Sequence, residues 1–128
     1  MFKFKIILKK GIILREILNK KCSTTIDLNR PGVYSIPCKD CESVYIGQTG
    51  RTINTRIKEH SKSIFPNSKI CSAVKDHVHQ LDHNIDFKNT KVLMYSNTLS
   101  ERLIVESYFI KRSNVFTGNK SSTELLIF

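Results

Sequence analysis

Short apolar runs bounded by turn formers alternate along this chain with stretches that repeat at helical spacing. Arg30, Pro31 and Gly32 interrupt the pattern ahead of an extended run, Val33 to Pro37, and a second run, Ser43 to Ile46, follows the turn Cys38-Lys39-Asp40-Cys41. Two such runs around a short turn predict a hairpin. Gln48 to Arg51 then make a polar turn with Thr52 as a cap, after which Ile53, Ile57 and Ile64 recur on one helical face. A helix is expected from about Ile53 to Ile64, ended by Pro66 and Asn67, with a shorter one around Ser72 to Gln80 carrying Ala73, Val74 and Val78 inward. Phe87 to Tyr95 reads as a third strand built on Val92, Leu93 and Met94. Thr98 and Glu101 fit a capping box, so a helix should begin at Leu99, with Leu99, Leu103 and Ile110 as its apolar stripe. Glu106 falls in that stripe, seven residues from Leu99, and is thereby aimed inward. The tail turns at Gly118 and Asn119 and closes on the apolar Leu125 to Phe128.

A chain of 128 residues with 40% hydrophobic content has room for one core. Lysine and arginine outnumber aspartate and glutamate 21 to 11, giving a formal charge of +10 and a field that attracts polyanions, nucleic acid first among them. The excess is concentrated at the start. Residues 1–30 hold Lys3, Lys5, Lys9, Lys10, Arg15, Lys20, Lys21 and Arg30 against Glu16 and Asp27, a net +6. This divides the chain into a basic arm or linker, 1–30, and a folded domain, 31–128. The arm reads equally as a solvated tail or as a phosphate-contacting one. Lys9, Lys10 and Arg15 break up its apolar triplets, so neither a membrane span nor a secretory leader is expected. An intracellular setting follows, in which four cysteines do not imply a disulfide framework. Cys22 and Cys71 read as free thiols, Cys71 in the core.

Several residues carry chemistry. Tyr34 and Tyr45 can face one another across the hairpin, although such pairs commonly serve packing alone. Arg56 and His60 lie four apart on one helix face, a spacing that solvated surface pairs also show. Glu106 is less ordinary, because a carboxylate in an apolar stripe needs a cation or donors, either in an ion pair or on a metal. Cys38 and Cys41, with two residues between them, and His77 and His83, with five between them, make a ligand set suited to tetrahedral zinc; free thiols or a redox pair are the alternatives.

Taken in order, Gly32-Val33-Tyr34, ten residues, Tyr45-Ile46-Gly47, Arg56-x-x-x-His60, Glu106 within a helix and a late Asn119 resemble the GIY-YIG nuclease superfamily. Val33 stands where that family usually has isoleucine. Val44 to Arg51 (VYIGQTGR), together with Cys38, Cys41, His77 and His83, is similar to the endonuclease of Penelope-like retroelements. The resemblance implies an α/β fold of the α+β kind: a small three-stranded, mostly antiparallel sheet flanked by helices, with a zinc-binding CxxC…HxxxxxH insertion. It implies a DNA endonuclease in which Glu106 holds one magnesium ion and Tyr34 handles the attacking water. Tyr45, Arg56 and His60 would organise proton transfer and developing charge, Gly47 would admit the phosphate, and Asn119 would support the site from the far side. Asn114 is a neighbouring alternative to Asn119. His79 could compete with His77, and the five-residue gap of the Penelope-like pattern implies His77 as the zinc ligand. Arg51, Lys58 and Lys62 are the candidate contacts to double-stranded DNA, and the resemblance places such a protein in the nucleus, linked in a full-length element to a reverse transcriptase. The competing expectation is a decayed or domesticated copy that keeps zinc and positive charge without turnover. A redox protein lacks the surrounding thioredoxin-like pattern.

Overall fold

A computed structural model describes residues 26–69 and 72–119. Most of the basic arm, Cys22, Cys71 and the apolar tail Leu125 to Phe128 lie outside the described residues. In chain order the elements are β1 (Gly32–Pro37), β2 (Val44–Thr49), α1 (Ile53–Ser63), α2 (Ala73–Leu81), a 3-10 turn (Phe87–Asn89), β3 (Lys91–Tyr95) and α3 (Leu99–Arg112). The strands form one antiparallel three-stranded sheet, as expected, and their order is β2-β1-β3. Among the described residues no helix is long and apolar enough to cross a membrane.

Placing β1 in the middle requires it to be apolar on both faces, and its first five residues are all buried. The register pairs Tyr34 with Gly47, Ser35 with Ile46 and Ile36 with Tyr45, so alternate residues of the hairpin sort onto opposite faces. Val33, Ile46 and Met94 pack on Val105 of α3. On the other face Tyr34 and Ile36 meet Ile53 and Ile57 of α1, Val74 of α2, and Phe116. Gly32 begins β1, not merely the turn before it, because a side chain there would run into the Met94 carbonyl of β3.

Local chemistry sets the boundaries. Thr52 caps α1 by accepting from the Thr55 amide at 3.2 Å, and Ser72 caps α2 by accepting from Lys75 at 3.1 Å. Asp82 ends α2 in the left-handed conformation, φ 53°, which turns the chain back so that His83 returns beside His77.

Three expectations need correction. The third strand starts at Lys91, not Phe87. Asp86, Asn89 and Thr90 supply local partners that favour a 3-10 turn: Asn89 donates to the Asp86 carboxylate at 2.6 Å, and the Thr90 hydroxyl donates to the Phe87 carbonyl at 2.7 Å. The capping box is not made either. Thr98 makes no side-chain cap; Ser96 takes over, donating to the Glu101 carboxylate at 2.9 Å and accepting from the Thr98 amide at 3.1 Å. The inward face of α3 is also not the one its leucines suggest, since Leu99 is 54% exposed. Arg102, Val105, Glu106 and Ser107 are buried instead. Glu106 does point inward, but beside Arg102 and Val105.

After α3 the chain runs along the free edge of β2. Val44 donates to the Asn114 carbonyl, Phe116 donates to that of Val44, and Val115 bridges Val44 in parallel. This covers an edge that would otherwise expose unpaired backbone groups.

Candidate active site and metal cluster

The middle of β1 presents Tyr34, fully buried, with its hydroxyl 3.0 Å from His60 Nε2 on α1. Gly47 stands opposite Tyr34 in the register, and a side chain there would sit 2.5 Å from the Tyr34 hydroxyl oxygen and 2.9 Å from the Tyr45 ring. The glycine of the second motif therefore makes room first for the phenol of the first. Tyr45 completes the cluster, its ring edge-on to His60 with centroids 4.7 Å apart. His60 reaches this pocket because Ile53, Ile57 and His60 share the buried side of α1, while Lys58 and Lys62 occupy its exposed side.

Burial sets the protonation of the pair. Desolvation, then the neighbouring Tyr45, raises the Tyr34 phenol well above its ordinary range, and desolvation also raises Tyr45. Desolvation, reinforced by the Arg56 charge, lowers His60 to about 4. Both partners of the 3.0 Å contact are thus neutral at physiological pH. An NMR titration is expected to show the His60 ring titrating near pH 4. A midpoint at or above about 6.5, the value of an unperturbed imidazole, would contradict this geometry.

Glu106 is buried on α3, and its charge raises both Tyr34 and Tyr45, which places the carboxylate within electrostatic reach of both hydroxyls. Arg56 is half-exposed and donates to Glu59 at 2.7 Å. Asn119 grips β2: its Oδ1 accepts from the Ile46 amide at 2.7 Å and its Nδ2 donates to the Ile46 carbonyl at 3.0 Å. It thus holds the Tyr45-Ile46-Gly47 segment by the backbone, whereas Asn114, among the described residues, meets β2 through its own backbone carbonyl, which accepts from the Val44 amide. Arg51, Lys58 and Lys62 are exposed around the start and outer side of α1.

Sequence reasoning missed Arg102, Gln48, Glu59 and Phe116. Arg102, one turn before Glu106, donates from Nε to Gln48 Oε1 at 3.0 Å and from Nη1 to the Ser96 carbonyl at 3.2 Å. An arginine interrupting an apolar face at the same spacing as Glu106 was the available signal. Phe116 is buried between the two centres, stacked on His77 at 3.9 Å and 6.4 Å from the Tyr45 ring.

The second constellation brings Cys38, Cys41, His77 and His83 together, with all four ligand atoms within 4.8 Å of one another. Backbone pairing of Lys39 with Asn84 and of Asp86 with Pro37 holds the two loops side by side. His77 Nε2 lies 3.4 Å from Cys38 Sγ and 3.5 Å from Cys41 Sγ, while His83 Nδ1 lies 3.6 Å from Cys38 Sγ and 3.2 Å from His77 Nε2. Metal bonds of about 2.3 Å to sulfur and about 2.0 Å to nitrogen give a tetrahedron with S···N edges of roughly 3.6 Å and an N···N edge of roughly 3.3 Å. Four of the six edges of the cluster match these lengths, and all four ligand atoms lie close enough to share one tetrahedral ion. Burial, and then His83, lowers His77, which favours the neutral imidazole that a metal requires. His79 is not in the set; its Nε2 faces the Ile64 carbonyl at 2.7 Å.

No curated protein and no solved structure matches the chain. The model of the GIY-YIG catalytic domain matches residues 30–120, a span that holds both tyrosines, the α1 pair, Glu106, Asn119 and all four cluster ligands. The chain therefore belongs to the GIY-YIG catalytic-domain family, a family of nucleases.

Proposed function

We propose that this protein is a magnesium-dependent endonuclease that nicks double-stranded DNA, with zinc in the Cys38, Cys41, His77 and His83 cluster. The observation that carries the proposal is the buried Tyr34–His60 contact, opposite Gly47 and within the field of Glu106. Hydrolysis of a phosphodiester needs a water made nucleophilic, stabilisation of charge on phosphorus, and a proton for the departing oxygen. Tyr34 cannot act as a free phenolate, because burial disfavours its charged form. With His60 Nε2 accepting from Tyr34, the phenol oxygen keeps lone pairs for the water. As the water oxygen attacks phosphorus, its proton passes to the Tyr34 oxygen while the Tyr34 proton passes to His60. One P–O bond forms and one breaks, and the proton that His60 has taken up passes on to the leaving oxygen, so the buried imidazole is charged only in transit and returns to its neutral form. Glu106, through its carboxylate oxygens, would hold a divalent ion, which would supply Lewis acidity at the phosphate. Asn119 acts through Ile46, keeping Tyr45 and Gly47 in register.

A chain with this ligand cluster and the VYIGQTGR segment suits the setting of a Penelope-like mobile element, acting on nuclear DNA and joined to a reverse transcriptase. The cluster residues Cys38 and Cys41 lie between the two tyrosine motifs, so the metal loop is built into the catalytic hairpin.

Purified protein incubated with supercoiled plasmid is expected to convert it to the nicked form with magnesium and not without. Binding to DNA should weaken a hundredfold or more over a modest rise in salt, since contacts by Arg51, Lys58, Lys62 and the arm release counterions. Deleting residues 1–29 should weaken binding to all sequences alike. Binding without nicking at any magnesium concentration would identify a decayed copy.

A further inference from the structure

Two arginines converge on one carboxylate of α1. Arg51, in the turn between β2 and α1, places Nη2 2.6 Å from Glu59 Oε1, and Arg56 places Nη1 2.7 Å from Glu59 Oε2. Each oxygen of Glu59 is thus taken by a different guanidinium. The three side chains remain accessible, at 62%, 36% and 33% exposure for Arg51, Arg56 and Glu59. Arg56 is also the cation whose charge reaches Tyr34, Tyr45 and His60.

The nearby start of α1 is not available to an anion. Its first amides are already used: Ile53 donates to the Arg30 carbonyl, Asn54 to that of Leu28, and Thr55 to the Thr52 hydroxyl. Anion recognition at this end of the helix therefore falls to side chains. A carboxylate and a phosphate offer arginine the same kind of paired oxygens, so a site that holds one across two guanidinium groups is shaped for the other.

We propose that Glu59 acts in the free protein as an internal competitor, filling between Arg51 and Arg56 the place of the DNA backbone phosphate that the two arginines meet under the function proposed above. The nature of the anion rests on the nuclease function proposed above; the arginine pair and its competitor do not. Entry of the phosphate exchanges one anion for another between the same two cations and sends the Glu59 carboxylate to solvent. An isolated small anion gains little from that exchange. A duplex, held at further phosphates by Lys58 and Lys62, gains enough to complete it, so Glu59 biases Arg56 toward engaged DNA.

The test is a double-mutant cycle on the full chain, read as duplex affinity by fluorescence anisotropy without added magnesium. Glu59→Gln should tighten binding about five- to tenfold, the weight of two exposed arginine pairs. In an Arg51→Gln, Arg56→Gln background the same change should tighten it less than twofold. An equal gain in both backgrounds would mean general repulsion between Glu59 and DNA, and would overturn the proposal, as would no gain in either. Inorganic pyrophosphate, followed through the Arg51 and Arg56 Nε resonances, reads the site independently of DNA and cleavage. Those resonances should shift at several-fold lower pyrophosphate in Glu59→Gln than in the unmodified chain; identical titrations overturn the proposal even if plasmid is nicked. If plasmid is not nicked but the cycle and titration behave as expected, the subsite stands and the nuclease reading fails. Thermal melts should be nearly unchanged in Glu59→Gln, because the pairs it breaks are solvent-exposed.

Discussion

Glu106→Gln is expected to lower plasmid nicking by several orders of magnitude while leaving the fold and DNA binding in place. Glutamine preserves the size of the side chain and most of its packing on α3, but it removes the charge that would bind a hard divalent ion and that acts on Tyr34 and Tyr45. Duplex affinity should hold or tighten, since a negative charge near phosphate is gone. Tyr34→Phe supplies an independent comparison. The ring still fills the buried position opposite Gly47, while the hydroxyl 3.0 Å from His60 is lost, so a second cleavage-deficient, binding-competent protein should result. Melting temperature separates the roles. A Glu106 that served only in structure would show a large loss of stability with cleavage retained by the folded fraction. A folded Glu106→Gln protein that nicks plasmid at the unmodified rate would remove the metal assignment.

The parts of this arrangement that were legible in the sequence are those with a fixed local period. The hairpin followed from two apolar runs around a turn, α1 from Ile53, Ile57 and Ile64, and the metal cluster from paired spacings that need only be brought together. What was not legible depends on partners distant in the chain. The α3 stripe was assigned through Leu99 and Leu103, yet the helix turns Arg102 inward because Gln48 and the Ser96 carbonyl satisfy its guanidinium. Periodicity cannot register a buried arginine whose partners lie on a strand and a loop. Ser96 displaced Thr98 at the helix start for a similar reason: it bonds both Glu101 and the Thr98 amide, which no spacing rule distinguishes from a capping box. At Gly47 the cross-strand register sets the Tyr34 phenol against the α-carbon, a second demand for glycine there that the motif alone does not reveal. Asn119 and Phe116 show the same dependence, since their roles exist only once residues 114–119 lie along β2.

Removing the metal should unfold the protein, and the route by which it does so passes through the active site. The cluster joins the β1–β2 loop, through Cys38 and Cys41, to α2 and the segment after it, through His77 and His83. Apparent binding energies for structural zinc, on the order of 10 kcal/mol, are comparable with the whole stability of a domain this size. Without the ion, two thiols and two imidazoles face one another, with S···N contacts of 3.4 to 3.6 Å and an N···N contact of 3.2 Å, and no cation to hold them. His77 is stacked on Phe116, Phe116 packs toward Tyr45, and the same segment carries Asn119 to the Ile46 backbone. Loosening His77 therefore frees the strand that keeps Tyr45 and Gly47 in register. Elemental analysis is expected to find about one zinc per chain, and Cys41→Ser should abolish the cooperative melt followed by circular dichroism. The cysteine substitution is preferable to chelation for reading activity, because a chelator also removes magnesium whereas Cys41→Ser can be assayed with magnesium saturating. Nicking should then be lost together with the melt. A Cys41→Ser chain that is metal-free, melts like the unmodified protein and still nicks plasmid would show that the four ligands meet without holding the fold.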